Sequence, residues 1–176
     1  MEGANVTDDR LQQMIDAHEI EGIFLRYFRG IDLGSPEDAV REFAQDARAE
    51  IMTGKDYVGR DRIARALGRV RVRYERTSHH LTNFLVDLDG DRAVATGYVY
   101  AFHRMKDTME PWHLWARIRD ELVRVGDRWV VTVHQLRGVD SVPGREDIPR
   151  AWYNHPVEIA REQELLGDAT MFRTPV

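Results

Sequence analysis

The spacing of apolar residues changes period partway along the chain, and this change constrains the fold more than any other feature. Up to about Tyr74 apolar residues recur at three- and four-residue steps, as on one face of a helix. Beyond it they alternate with polar residues, as on a half-buried strand. Thr77–Leu88 alternates, Asp89-Gly90-Asp91 turns, and Arg92–Arg104 returns. Trp112–Val123 and Arg128–Val139 follow, joined by Gly126-Asp127. An Asp-Gly pair between alternating runs signals a hairpin, because the tight turn needs residues that tolerate positive φ. Helices first and long hairpin-linked strands second predict an α+β domain, with helices on one face of an antiparallel sheet.

The helical part divides at its caps. Leu11, Met14, Ile15, Ile20, Ile23, Phe24, Tyr27, Phe28 and Ile31 share one face of a helix that Thr7 would cap and Gly34 would end. Its weak point falls near His18–Gly22. Ser35-Pro36-Glu37-Asp38 starts a second helix, expected to carry Val40, Phe43 and Ala44 and to stop near Asp46. Arg48–Thr53 reads as a short strand. Gly59-Arg60-Asp61 opens a third helix through Val70, whose basic outer face reads as solvated surface. After Gly138 the chain changes character: Pro143, Gly144 and Pro149 mark a loop, and Pro156 opens a short helix through Leu166.

With 176 residues the chain is expected to form one domain, a core over about 8–140 and a C-terminal extension over 141–176. The absence of cysteine excludes disulfide scaffolds, zinc ribbons and thiol nucleophiles. A net charge of −5 and the lack of a Lys-rich block argue against nucleic acid as partner. The polar, acidic start and the lack of a long apolar run predict a cytoplasmic protein without a membrane partner. Nucleotide and Gly-x-Ser-x-Gly fingerprints are missing, and His79, His80, His103, His113 and His134 lack compact ligand spacing, so neither cofactor nor metal is expected.

The strand Arg92–Arg104 is unusual. One of its faces, Ala93, Ala95, Gly97, Val99, Ala101 and His103, is nearly all small, while the other holds Val94, Thr96, Tyr98, Tyr100 and Phe102. A small-residue face either packs closely on the helices or leaves room for a pocket, with His103 as a polar group at its end.

Several segments fall in an order that resembles a known family. Arg26-Tyr27-Phe28-Arg29-Gly30-Ile31-Asp32 on the first helix, Thr77-Ser78-His79-His80-Leu81-Thr82-Asn83 entering a hairpin, and the closing Gly126-Asp127-Arg128-Trp129 turn are similar to the SnoaL-like branch of the nuclear-transport-factor-2-like superfamily. The resemblance covers roughly residues 8–140. It implies a cone-shaped α+β barrel, a curved antiparallel sheet wrapped around N-terminal helices and enclosing an apolar pocket. Scytalone dehydratase, bile-acid 7α-dehydratase and hexachlorocyclohexane dehydrochlorinase in this superfamily share an Asp ending the first helix and a His starting the first long strand. Asp32 and His79 match those positions, Tyr27 matches a pocket tyrosine of the bile-acid enzyme, and His103 matches a second histidine of scytalone dehydratase. The serine and asparagine of that enzyme's third strand have no counterpart here, where Trp115, Ala116 and Arg117 stand, so its substrate does not carry over.

The residues themselves suit the chemistry. Asp32 follows Phe24, Tyr27, Phe28 and Ile31 on the buried helix side, where desolvation should raise its pKa. A carboxylate bonded to one ring nitrogen of a His fixes the tautomer and makes the other nitrogen a better base. His79 and His80 point to opposite faces, and alternation leaves both faces mixed; the resemblance favours His79. The expected activity is that of a cofactor-free lyase, dehydratase-like, on a small hydrophobic alicyclic or aromatic metabolite. His79 is its base, Asp32 the group that orients it, and Tyr27 or His103 assists the leaving group. Phe24, Phe28, Gly97, Val99, Ala101 and Trp115 are expected to bind the substrate. Isomerisation or polyketide cyclisation could use the same pair. A non-catalytic ligand-binding protein or dioxygenase small subunit is the rival class, although neither needs Asp32 and His79. The aromatic convex face (Tyr98, Tyr100, Phe102) and the late Trp152 and Tyr153 predict a homo-oligomer, trimer or dimer, or a lid over the pocket.

Overall fold

In the computed structural model, which describes residues 6–51 and 55–143, three helices precede the long strands as the change of period requires. The elements are α1 (Val6–Leu33), α2 (Pro36–Ala39), β1 (Phe43–Ile51), β2 (Asp56–Val58), α3 (Arg60–Arg71), β3 (Tyr74–Asp89), β4 (Arg92–Met105), β5 (Pro111–Val125) and β6 (Arg128–Val142). One six-stranded sheet runs in the order β2-β1-β6-β5-β4-β3. β3 to β6 form the expected antiparallel meander, turning at Gly90 (φ +57°) and Gly126 (φ +65°).

β1 departs from the expectation. It lies parallel to β6, so the sheet is mixed, and β2 and β3 form its two edges without closing a barrel. The sheet curves around the helices, helped by register shifts in the β1–β6, β3–β4 and β5–β6 pairs. No helix among the described residues is long and apolar enough to cross a membrane.

The helices also differ in detail. α1 runs unbroken through His18–Gly22, and its early apolar residues Leu11, Met14 and Ile15 lie exposed. The buried group in this stretch is Asp16, which accepts from Arg124 Nη2 at 2.6 Å and Trp129 Nε1 at 3.3 Å, tying the helix to the β5–β6 hairpin. α2 is a single turn. Ser35 Oγ accepts from the Asp38 N–H and Asp38 Oδ2 from the Ser35 N–H, which starts the helix. Pairing of Phe43 opposite Val131 then ends it, so Phe43 and Ala44 belong to a strand and not to the longer helix their spacing suggested. Gly30 allows α2 to approach α1, since a Cβ there would sit 2.6 Å from the backbone N and Cα of Ala39. Ile20, Ile23, Phe24, Tyr27 and Phe28 of α1 face the inner side of the sheet and form the core with Ile63 and Leu67 of α3.

A bulge in β3 sets which residues look inward. Between Thr82 and Leu85 the register with β4 shifts, and Asn83 takes φ +50°. Before the bulge His79 and Leu81 are more buried than His80 and Thr82; after it Phe84, Val86 and Leu88 are more buried than Leu85, Asp87 and Asp89. The shift of phase explains why simple alternation gave two mixed faces. Trp152, Tyr153 and the Pro156–Leu166 segment lie outside the described residues.

Candidate active site

Asp32, near the end of α1, is brought against β3. Its Oδ1 accepts from Thr77 Oγ1 at 2.6 Å and from His79 Nδ1 at 2.7 Å, and its Oδ2 accepts the backbone N–H of His79 at 2.9 Å. Both side chains are largely enclosed, 15% exposed for Asp32 and 9% for His79. Burial pushes the Asp32 carboxyl up, but the hydrogen bonds from His79 and Thr77 outweigh it and hold the pKa below its ordinary value. The rise expected from the sequence is therefore reversed, because three donors converge on one carboxylate. With Nδ1–H given to Asp32, the other ring nitrogen of His79, Nε2, is the basic one. The imidazole stacks on Phe28 (centroids 5.4 Å, 16°) and meets His103 edge-on (5.3 Å, 89°).

This ring forms part of the wall of an open-mouthed cavity of about 80 Å³. Tyr27, Phe28, Val99, Ala101 and His103 line it as expected from the sequence. Tyr27 is 1% exposed, and its hydroxyl has no hydrogen-bond partner among the described residues. Burial first, and the Asp120 carboxylate second, push its pKa far above the ordinary phenol value, so it remains a proton-bearing donor. His80 points away, exposed, with Nε2 3.1 Å from Ser78 Oγ.

Three expected pocket residues do not reach the cavity. Phe24 is fully buried one turn earlier and packs on Phe84 (5.4 Å). Gly97 faces inward, but Leu81 and Phe84 fill the space above it: a Cβ there would lie 2.9 Å from Leu81 Cδ1. The small-residue face thus splits, with close packing at Gly97 and cavity wall from Val99 to His103. Trp115 lies on the outer face, 42% exposed, beside Tyr100 (5.6 Å) and His113. Its neighbour on the inner face, Trp112, lines the cavity instead, with Tyr74 and Thr77. Thr77 was within reach of sequence reasoning, since it stands two residues before His79 on the same face. Trp112 was too, because β4–β5 pairing sets it opposite His103.

A second His–Asp pair was missed altogether. Asp120 on β5 and His134 on β6 face each other in register, both at 0% exposure, with His134 Nδ1 donating to Asp120 Oδ1 at 2.5 Å. Asp120 Oδ2 and His134 Nε2 have no other partner among the described residues. Burial drives the Asp120 carboxyl upward against the opposing pull of His134. Tyr27 packs over His134 at 4.9 Å, but neither member of this pair lines the cavity. Of the two pairs, Asp32–His79 reaches this cavity, through the His79 ring.

The model of the SnoaL-like domain matches residues 12–134, which includes Asp32, His79 and His103. The chain belongs to the SnoaL-like family. The chain is similar to a candidate scytalone dehydratase from Novosphingobium aromaticivorans, at 25% identity, TM-score 0.68, covering 77% of this chain and 90% of that one. It is also similar in fold to a type 2 hexachlorocyclohexane dehydrochlorinase, at 16% identity and TM-score 0.70, covering 75% and 90% of the two chains. A third similar structure is an NTF2-like protein with a cystatin-like fold from Novosphingobium aromaticivorans (21% identity, TM-score 0.66, 80% and 92% covered). No curated protein matches the chain.

Proposed function

We infer that the chain is a lyase whose active site removes a proton next to a carbonyl and expels a leaving group from a small hydrophobic cyclic molecule. The observation that carries this reading is the His79 ring on the wall of an apolar cavity, its Nδ1 held by a half-buried carboxylate. A base buried among Phe28, Val99 and Ala101 meets a substrate already stripped of water, which strengthens proton transfer at a carbon acid. Nε2 of His79 takes the proton, the carbon–carbon double bond forms, and the bond to the hydroxyl breaks. The departing hydroxide takes a proton from the His103 ring and leaves as water, while Tyr27 donates a hydrogen bond to it. Tyr27 keeps its proton at any working pH and so suits the role of hydrogen-bond donor to a carbonyl or to the leaving oxygen. The similarity to a candidate scytalone dehydratase supports elimination of water. The outer sheet face, with Tyr98 and Trp115 exposed, supports self-association, to be read by light scattering.

The test is a panel of cyclic β-hydroxy ketones followed by the rise of enone absorbance. His79→Ala should lower turnover by roughly 10²–10⁴-fold, the range for losing a general base. Asp32→Asn keeps the shape and should lower kcat more than it changes KM. His80→Ala, on the exposed side, should leave turnover intact. An active protein whose His79→Ala variant kept its rate would end this reading.

A further inference from the structure

The cavity has a charge pattern that its apolar walls do not require. Between residues 60 and 76 stand seven arginines against only Asp61 and Glu75, a segment of net +5 in a chain of net −5. Six of the seven are exposed, and none forms an ion pair with another described residue. Elsewhere arginines do find acids: Arg26 pairs with Glu42, Arg48 with Asp56 and Arg124 with Asp16. The unpaired group follows α3 into β3, and α3 is an edge of the cavity: Leu67, Val70 and Arg71 line it. Arg71, the last residue of the helix, is exposed at the mouth, where one guanidinium nitrogen donates to the Gly34 carbonyl. That bond fixes the head group and uses one of its five donors.

Among the described residues no aspartate or glutamate lines the cavity, because Asp32 lies behind the His79 ring. A ligand inside therefore meets apolar carbon, imidazole, hydroxyl and one fixed guanidinium, with no carboxylate to repel an anion. Resting on the lyase reading above, we propose that the substrate is an apolar ring carrying a carboxylate, with the ring in the cavity and the carboxylate on Arg71 at the mouth. The neighbouring arginines raise the local concentration of such an anion and speed its capture despite the overall negative charge of the protein. A planar guanidinium matches a carboxylate through two parallel hydrogen bonds, which is why arginine and not a generic cation suits the position.

The experiment compares 2-naphthoate with its uncharged counterpart 2-acetylnaphthalene by calorimetry on the full chain. The wild-type protein should bind naphthoate about 10-fold more tightly, as for a partly exposed charge-assisted contact. Raising salt from about 20 mM to about 500 mM should erode naphthoate binding alone. Arg71→Gln should remove the preference while leaving the ketone's affinity unchanged, and Arg71→Lys should restore part of it. Equal binding of both probes by the wild type overturns the proposal and leaves the lyase reading standing. So does a preference that survives Arg71→Gln, or an Arg71→Gln variant that weakens both probes alike. If neither probe binds, the proposal is overturned, while the lyase reading stands or falls on the turnover of the cyclic β-hydroxy ketones.

Discussion

The buried Asp120–His134 pair makes an unusually sharp stability prediction. Replacing His134 with Phe keeps ring volume beside Tyr27 and Phe43, at 4.9 and 5.7 Å from the present imidazole, but strands the Asp120 carboxyl at 0% exposure. An ordinary hydrogen bond would be worth about 1 kcal/mol. Breaking a buried charge pair on one side costs about 3–5 kcal/mol, because the remaining group has no water and no partner. Asp120→Leu strands His134 in the same way, although the imidazole can stay neutral, so its cost should lie near the lower end of that range. The double variant removes both polar groups from a site walled by aromatic and aliphatic carbon. It should return to within about 1 kcal/mol of the wild type, as apolar replacements of buried ion pairs do. The coupling between the two sites is then about 5 kcal/mol or more, many times what independent positions show. Urea unfolding followed by tryptophan fluorescence reads all four proteins, and in a thermal melt of a domain of this size the His134→Phe loss should appear as about a 10 °C drop in Tm. A double variant as damaged as the two single costs added together would refute the argument, and so would a His134→Phe loss under about 1 kcal/mol.

Two glycines in helices should respond with opposite signs. Gly30→Ala pushes a methyl into the Ala39 backbone 2.6 Å away and should destabilise by about 1–3 kcal/mol, whereas Gly68→Ala meets only Pro36 Cγ at 3.5 Å and should stabilise by about 0.5–1 kcal/mol in the same urea assay. Asp32 has its folded pKa held below the ordinary 3.8, so its contribution is full above the unfolded value and is lost as pH falls through the folded one. The stability gap between wild type and Asp32→Asn should therefore be constant from about pH 7 to 5 and close as pH drops below about 4; a gap that widens toward acid would contradict the geometry.

The meander was legible because two properties coincide in it: alternation of apolar residues, and glycine at turns where φ is positive. The Asp32–His79 pair was legible through the family resemblance, and its geometry then follows from α1 resting on β3. The inward face of β3 was not legible, since one bulged residue, Asn83, reverses the phase and alternation carries no mark of where a bulge falls. Asp120 left a trace that went unused. It stands in phase with Trp112, Leu114, Ala116, Ile118 and Leu122, all buried, so a carboxylate in that series needed a partner. Finding His134 as that partner requires the β5–β6 register, which includes two irregularities. The parallel seat of β1 was hidden for a related reason: a nine-residue strand shows its own period and not the identity of a neighbour distant in sequence.

That parallel seat has a consequence for how the protein is made. β1 leaves the ribosome early, yet one of its two flanking strands is β6, with Phe43 facing Val131 and Ile51 facing Leu136. Until β6 is synthesised, β1 can pair only with the three-residue β2, and a row of its backbone donors and acceptors stays open. A nascent chain that stalls before β6 thus presents a sticky ribbon to other chains, and β6 acts as the clasp that removes it. The helix bearing Asp32 and the strand bearing His79 can meet earlier, so the chemistry-bearing pair is assembled on a sheet whose completion waits for β6.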